Sequence, residues 1–341
     1  MVTGDHIAKN GGVGVTNVRF VINIINRCSN IKWIHKFSSF PLFYTIIRII
    51  YTQNFILQSV FSIFLQKKDK KNEKNLKKIE SDCKVPEKYR RSKMSSFITE
   101  YLEKTSSLLK EVAVSEEKNM DQAAEMIAEG FANGKTIYVF GCTHSAILAE
   151  DVFYRANTPC FWRPLWGPGM SITQTPGFLT SAAEHNETLG NDIIACSRMK
   201  EDDILVVLST SGKNGAPVAV ADAALKKGAK VIAISSSAYK DQTGNHSKYA
   251  SLWKVPGLLM IDNHVPCGDT SVTVGESTPM GPVSTIIGSF IMHTISALSV
   301  EKLIARGIKP PVFLSSNAPG GKEWNEELMK LESVQQAYLL P

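Results

Sequence analysis

Three hydroxyl side chains and a glycine, Ser209-Thr210-Ser211-Gly212, directly follow the apolar run Ile204–Leu208. A helical pattern begins shortly afterwards, at about Ala216. The first N–H groups of a helix have no partner within the helix and carry a partial positive charge. Hydroxyls add donors, and a glycine lets the backbone approach a ligand closely. The stretch therefore predicts a cradle for a phosphate group. The alternative is a serine that only caps the helix.

A second loop of the same kind occurs earlier in the chain. Gly141-Cys142-Thr143-His144-Ser145 follows the strand pattern Thr136–Phe140 and precedes a helical stretch over residues 146–156. Two such loops, each after an apolar strand, favour an anion site over simple capping. The sequence contains neither a GxxxxGK[ST] nor a GxGxxG motif, which excludes a Walker A or dinucleotide-binding loop.

The spacing of apolar residues predicts alternating strands and helices from about Met94 onwards. Helices are expected over 97–116, 119–132 and 216–227, and Gly228 is expected to cap the last of them. A strand follows at once, Val231–Ile234. A strand, helix and strand with continuously apolar strands indicate parallel pairing in a doubly wound α/β domain. Ligands bind outside the carboxyl ends of the strands in that class.

These residues resemble the SIS (sugar isomerase) domain, whose members carry Gly-x-Gly-x-Ser after the first strand and Ser-x-Ser-Gly-x-Thr after a later one. Residues 306–328 and 280–291 are similar to an uncharacterised bacterial SIS subfamily. The chain departs from the pattern at two positions. Thr143 stands in place of the second glycine, where a branched side chain would affect the approach of ligand. Asn214 stands in place of the usual threonine, and its amide can still donate to a phosphate oxygen.

The resemblance implies a fold, a set of contacts and a function. The fold is an SIS-type doubly wound α/β/α sandwich with a five-stranded parallel sheet flanked by helices, and the expected assembly is a homodimer. The phosphosugar contacts are Ser145, Ser209, Ser211 and Asn214, with Thr210 and Gly212 acting through the backbone. The expected function is binding of a sugar phosphate, as an aldose–ketose isomerase or a related enzyme acting on a sugar phosphate or amino-sugar phosphate. A non-catalytic phosphosugar sensor and a sugar-phosphate ether lyase remain alternatives.

Moving a carbonyl between C1 and C2 of a sugar needs a general base. If Thr180–Ile193 holds a helix that starts near Ser181, Glu184 and Glu187 share a face at a spacing of three residues. Glu184 has a competing interpretation, because Ser181 and Glu184 have the spacing of a capping box. His264 follows an apolar run and is a third catalytic candidate at a strand end.

The cysteine and histidine positions predict no metal site and no cofactor. The six cysteines form no CxxC pair and have no metal-ligand spacing. Reduced structural thiols fit a cytoplasmic protein.

The first 93 residues differ sharply from the rest in composition. They contain one alanine and carry 18 Lys and Arg against 6 Asp and Glu, whereas residues 94–341 carry 20 against 26. The basic charge is therefore local and does not indicate a nucleic-acid partner. Phe40–Leu65 is long enough to span a bilayer, but Arg48 and three amide side chains lie inside it.

We interpret residues 1–93 as a non-native or disordered extension and residues 94–341 as the SIS domain. Arg90-Arg91 lies just before Met94, and AGGAGG, a bacterial ribosome-binding sequence, encodes this pair. No membrane association is predicted, with an N-terminal anchor as the alternative.

Overall fold

The computed structural model describes residues 96–173, 176–309 and 311–338. The chain divides into two units, Met1–Ser92 and Lys93–Pro341, and the described residues belong to the second. The extension expected over 1–93, including the apolar segment Phe40–Leu65, lies outside the described residues, so that interpretation stays a prediction.

The described residues form nine α-helices and seven strands. The helices are α1 Ser96–Ser115, α2 Glu117–Ala132, α3 His144–Val152, α4 Leu179–His185, α5 Glu187–Cys196, α6 Gly215–Lys226, α7 Ser284–Ala305, α8 Gly321–Leu328 and α9 Glu332–Tyr338. The strands are β1 Ile137–Gly141, β2 Trp162–Pro164, β3 Ile204–Leu208, β4 Lys230–Ser235, β5 Leu259–Asp262, β6 Val272–Val274 and β7 Thr278–Met280. The helix expected over 216–227 is confirmed to within one residue, and Gly228 adopts the positive φ of a C-terminal cap.

Five strands form one parallel sheet in the order β2-β1-β3-β4-β5, and β6 and β7 form a separate antiparallel pair. The register places Gly141 beside Leu208, Leu208 beside Ile234, and Ile234 beside Ile261. The carboxyl ends of four strands therefore meet along one line, the carboxyl edge of the sheet. This arrangement confirms the predicted doubly wound sandwich with a five-stranded parallel sheet.

Alternating side chains of the strands enter two separate hydrophobic cores. Val139 and Val206 belong to the core on one face, which α2, α3 and α7 cover. Tyr138, Leu205 and Val207 belong to the core on the other face, which α5 and α6 cover. Because both faces are buried, the strands read as continuous apolar runs, as expected for a parallel sheet between helix layers.

Helix α7 is the one described helix that is long and apolar enough to cross a membrane, with a mean hydropathy of 1.2. It packs on the sheet in this structure, and Ile287, Ile291 and Ile295 are completely buried in the first core. Burial of this face within the domain accounts for the apolar residues on it.

The helix expected from Ser181 through Glu187 is in fact two helices, so the prediction that Glu184 and Glu187 share one helical face is wrong. Asn186 is extended (φ −85°, ψ 100°) and caps α5 by accepting the Leu189 N–H at 3.1 Å. The reason is tertiary packing. A Cβ at Gly190 would lie 2.5 Å from the Ala216 carbonyl oxygen, so α5 is pressed against α6 and follows its own axis.

The capping box proposed for Ser181 and Glu184 is also wrong. The residue that precedes α4 is Phe178, which makes no side-chain cap, and Ser181 lies inside the helix. Glu184 therefore does not cap the N-terminus of its helix.

A chain that begins at Met94 is expected to fold alone, since the described residues, which begin at Ser96, already supply a hydrophobic core on each face of the sheet. It should unfold in one cooperative transition when its circular dichroism is followed in urea, and it should bind the same ligands as the full chain. Non-cooperative unfolding, or ligand binding seen only in the full chain, would contradict this expectation.

Candidate functional site

The turn between β3 and α6, residues 209–214, is named the hydroxyl loop. Gly212 has a φ of +60°, and a Cβ there would lie 2.3 Å from the Ser235 hydroxyl. Its N–H donates to the Ser209 hydroxyl (3.1 Å), and its carbonyl accepts the Leu252 N–H (2.7 Å). Both the positive φ and the close approach require glycine at this position.

The side chains of the hydroxyl loop divide into two groups. Ser209 is 3% exposed and accepts the Gly212 N–H, and the carbonyl of Thr210 accepts the Ser236 N–H at 2.9 Å. Ser211 and Asn214 are partly exposed, and their side chains have no hydrogen-bond partner among the described residues. Ser209 and Thr210 thus hold the shape of the loop, whereas Ser211 and Asn214 are available to a ligand.

The first loop, Gly141–Ser145, lies beside the hydroxyl loop because Gly141 pairs with Leu208. A Cβ at Gly141 would lie 2.2 Å from the Ser145 carbonyl oxygen, so the first turn of α3 lies directly against the end of β1. Thr143 has a φ of +53° and a ψ of −126°, a conformation that favours glycine, and its N–H donates to the Met170 carbonyl at 2.8 Å. The departure at Thr143 is therefore a point of backbone strain.

Glu184 lies beside the first loop, next to Cys142. Burial raises the pKa of the Cys142 thiol well above its ordinary value, and the adjacent Glu184 carboxylate, which accepts a hydrogen bond from the thiol, raises it further. Cys142 is therefore a protonated thiol rather than a nucleophile. Glu184, one of the predicted catalytic residues, therefore lies at the carboxyl edge of the sheet.

Glu187 is held by the loop that follows β4. Its carboxylate oxygens accept the Ser247 N–H at 2.6 Å and the Ser247 hydroxyl at 2.7 Å. The Ser247 hydrogen bonds lower the pKa of Glu187, and His246, with Nε2 at 3.5 Å from Oε1, lowers it further. Glu187 is therefore an ionised carboxylate at neutral pH, with 28% of its side chain exposed.

The tautomer of His246 follows from its partners. Its side chain is 3% exposed, and Nδ1 accepts the N–H groups of Lys248 and Tyr249, each at 3.1 Å. An acceptor nitrogen carries no proton, so in the neutral ring Nε2 carries it and presents an N–H towards Glu187.

Two contacts connect Glu187 to the hydroxyl loop. A Cβ at Gly215, the first residue of α6, would lie 2.7 Å from the His185 carbonyl oxygen and 3.1 Å from the Glu187 nitrogen. The loop that carries Ser247 is tied to the same region, because the Asn245 N–H donates to the Lys213 carbonyl at 3.2 Å. The backbone of Glu187 therefore lies next to the N-terminus of α6, and the loop that holds its carboxylate contacts the hydroxyl loop.

His264, the third predicted catalytic residue, has different neighbours. Its Nε2 lies 2.9 Å from the Ser115 hydroxyl and 3.6 Å from Glu116, and its Nδ1 lies 3.5 Å from Glu111. It therefore contacts the junction of α1 and α2, on the helix layer opposite α5 and α6. The three predicted catalytic residues lie at the carboxyl edge, but each has its own set of partners.

Two clefts lie near opposite edges of the sheet. A cleft of about 220 Å³ adjoins the first loop and is lined by Gly141, Ala146, Glu150, Trp166, Gly167, Met170 and Ser171. A larger cleft of about 560 Å³ lies at the amino ends of the strands and does not include the hydroxyl loop. Size alone therefore does not identify the functional site, and the rule for parallel sheets favours the carboxyl edge. The described residues contain no group of three or more His, Cys, Asp or Glu arranged to hold a metal ion.

Several residues of this edge were not predicted from the sequence. Ser235 is the last residue of β4, and Ser236 and Ser237 follow it; Asn263 follows β5, and its side-chain amide donates to the Thr210 hydroxyl at 3.4 Å. Three consecutive serines at the end of an apolar run are the same signal as the hydroxyl loop and would have identified the end of β4. No local signal announces His246 and Ser247, which lie about 60 residues from Glu187.

The family model for the SIS domain matches residues 100–236. A UPF0309 protein of Shouchella clausii is 35% identical over 246 residues, which is 72% of this chain and all of that relative. A UPF0309 protein of Geobacillus kaustophilus is 37% identical over 235 residues, 67% of this chain and 91% of the relative. The chain belongs to the UPF0309 family of SIS-domain proteins.

A solved structure also resembles this UPF0309 chain. The phosphoheptose isomerase of Francisella tularensis aligns over 61% of this chain and all of its own, with 19% identity and a TM-score of 0.39.

Replacing Thr143 with glycine should stabilise the protein. Backbone strain of this kind costs roughly 1–3 kcal/mol, and the extra chain entropy of glycine offsets about 0.5–1 kcal/mol of the gain. We expect the free energy of unfolding in urea to rise by about 1 kcal/mol. Thr143→Ala is the matched control, since it keeps the Cβ and the strain and should not be stabilised. Lower stability of Thr143→Gly than of Thr143→Ala would contradict the strain.

Proposed function

We propose that the protein is a phosphosugar enzyme, an aldose–ketose isomerase or a related enzyme acting on a sugar phosphate or amino-sugar phosphate. One observation carries the proposal. The N-terminus of α6 packs against the backbone of Glu187, whose carboxylate is ionised, and the side chains of Ser211 and Asn214 have no hydrogen-bond partner among the described residues. A phosphate anchor and a general base are the two groups that proton transfer on a sugar phosphate requires first.

The phosphate is held by hydrogen-bond donors rather than by an ion pair. The first N–H groups of α6 and the side chains of Ser211 and Asn214 supply donors to an anion. Ser145 adds a hydroxyl from the first loop. Lys213 has another role, since its ammonium donates to the Gln242 side chain at 2.9 Å and lies 6.0 Å from the Tyr239 ring centre.

Glu187 serves as the base. In the isomerase reaction it removes the proton from C2 of the aldose and returns it to C1, while the hydroxyl proton moves from O2 to O1. Ser247 and His246 keep the carboxylate ionised in the resting state, which a base requires. Glu184, beside the first loop, and His264 are the candidates for proton transfer at the sugar oxygens.

The rival functions share the phosphate anchor and differ in the chemical step after binding. A sensor holds the sugar phosphate without moving a proton. An ether lyase also needs a base at C2 but eliminates a substituent from C3, so a sugar phosphate that lacks the ether would exchange its proton without conversion.

The protein is proposed to be a cytoplasmic homodimer. The four cysteines in the described residues are free, which suits a reducing compartment. Leu102 on α1 and Ile286 and Ile304 on α7 are 57%, 40% and 58% exposed, and a second copy would bury such side chains. Light scattering of the purified chain should give twice the monomer mass, and a monomer mass would contradict the dimer.

Ser211→Ala should weaken sugar phosphate binding without loss of stability. Removing a hydrogen bond to a charged group costs about 1.5–3 kcal/mol, or roughly 10- to 150-fold in affinity. Titration calorimetry with a sugar phosphate selected from a hexose, pentose and heptose phosphate panel measures the change.

Ser209→Ala is the contrasting variant, because it removes the acceptor of the Gly212 N–H and should lower the melting temperature as well. The unphosphorylated sugar should bind weakly to all three proteins, and an equal loss for both ligands would contradict a role of Ser211 at the phosphate.

The wild-type protein should exchange the C2 proton of its aldose phosphate with deuterated water, measured by proton NMR. Glu187→Gln keeps the shape but accepts no proton, and exchange should fall by about 10²- to 10⁴-fold. Tight binding with no exchange by the wild type would contradict the isomerase function and leave the sensor.

The pH dependence identifies the base independently. Glu187 acts as a base above its pKa, which is lower than that of an ordinary glutamate, so the acidic limb of kcat/KM should lie at low pH. Ser247→Ala removes the largest cause of the lowered pKa, and the limb should move to higher pH. An unmoved limb in Ser247→Ala would show that another group, with Glu184 and His264 as the next candidates, is the base.

A further inference from the structure

The larger cleft, of about 560 Å³, has more cationic than anionic residues in its lining and lies at the amino ends of β1, β2 and β3. It is named the basic cleft and is lined by Asn133, Gly134, Lys135, Thr136, Tyr138, Arg163, Arg198, Lys200, Glu201 and Asp203. Four of these residues are cationic and two are anionic, although residues 94–341 as a whole are net acidic. The overall charge of the domain does not account for these cations, so an anionic ligand of the cleft is considered as their cause.

Three of the cations have no ion-pair partner within the described ranges. Arg163, Arg198 and Lys200 make no salt bridge there, and the Arg163 guanidinium lies 5.8 Å from the centre of the Tyr138 ring. Lys135 differs, since its ammonium donates to the Glu201 carbonyl at 3.0 Å. The three cations repel one another and none is neutralised by a direct ion pair, so an anion between them would be bound favourably.

The frame of the basic cleft is rigid. Asp203 is 3% exposed, and its carboxylate accepts the Thr136 N–H at 2.9 Å and the Lys200 N–H at 2.8 Å. These two bonds fix the loop that carries Arg198 and Lys200 against the start of β1. Both carboxylate oxygens of Asp203 are thereby engaged with the backbone. Arg163 is placed by β2, where it pairs with Tyr138 of β1.

The charge and the size of the basic cleft define its ligand. The four cations and two anions of the lining leave a net charge of +2, which attracts a phosphate group. The cleft also holds two guanidinium groups, Arg163 and Arg198, and each can bind one phosphate group, so the lining suits two linked phosphates. The guanidinium forks of two arginines match phosphate oxygens in a bidentate manner. The volume lies in the range of roughly 300–1,000 Å³ typical of small-molecule sites. We propose that the basic cleft binds a small molecule that carries a diphosphate group.

This site is separate from the sugar phosphate site. The five-residue strands β1 and β3 run between the two edges of the sheet, and at about 3.3 Å per residue they separate the edges by roughly 16 Å. One ligand of sugar phosphate size therefore does not reach both sites, and the basic cleft is an effector site. Its existence does not depend on the reaction at the carboxyl edge.

The test is titration calorimetry of the full chain at constant 0.15 M ionic strength, with pyrophosphate, orthophosphate and adenosine diphosphate as probes. Pyrophosphate is expected to bind at least ten times more tightly than orthophosphate. The double variant Arg163→Gln/Arg198→Gln should weaken pyrophosphate binding at least tenfold. Arg198→Glu, which changes one exposed side chain, serves as a second variant if the double variant does not fold. Lys322→Gln/Lys330→Gln is the matched control, since it removes two exposed cations elsewhere and should bind pyrophosphate as the wild type does.

Ser211→Ala separates the two sites, because it should leave pyrophosphate binding unchanged. Tighter binding of adenosine diphosphate than of pyrophosphate would identify a nucleotide as the occupant, and equal binding would identify the diphosphate alone. The proposal is overturned if the cleft variants bind pyrophosphate as the wild type does. It is overturned equally if orthophosphate binds as tightly as pyrophosphate, or if Ser211→Ala removes the binding.

Discussion

The turn at Gly212 is the constraint on which the rest of the site depends. The chain leaves β3 and enters α6 within a few residues, which requires a positive φ in a space where no Cβ fits. The Ser209 hydroxyl and the Leu252 N–H close the turn from both sides. Because these two groups are used within the protein, the turn is formed before any ligand arrives. A preformed anion site loses little free energy to ordering when it binds.

The same turn also positions the residues around the proposed phosphate site. It fixes the first residue of α6, Gly215, against the end of α4 and the start of α5, and therefore fixes the backbone of Glu187. The loop that follows β4 contacts the hydroxyl loop at Lys213 and holds the Glu187 carboxylate through Ser247. An anionic ligand beside an ionised carboxylate would be repelled. Hydrogen bonds from Ser247 and the N–H of His246 stabilise the charge of the carboxylate.

Features with a local cause were predictable from the sequence. Strand β3 and helix α6 follow from an uninterrupted apolar run, a helical spacing and a glycine cap, and the two loops follow from hydroxyls placed after strands. The break at Asn186 has a cause that is distant in sequence, namely the contact of Gly190 with Ala216 on α6. The helical spacing alone therefore predicts one continuous helix across Asn186. The pairing of Glu187 with Ser247 and His246 is equally non-local, so composition and spacing pointed to the carboxylate but not to the groups that hold it.

A crystal structure of the protein with a tightly bound sugar phosphate tests the central claim most directly. Phosphate oxygens are expected within about 3.2 Å of the Ser211 hydroxyl and of the first N–H groups of α6. C2 of the sugar is expected on the side of the Glu187 carboxylate. A sugar phosphate bound away from the carboxyl edge, with the hydroxyl loop free of ligand, would contradict the role of the hydroxyl loop as the phosphate anchor.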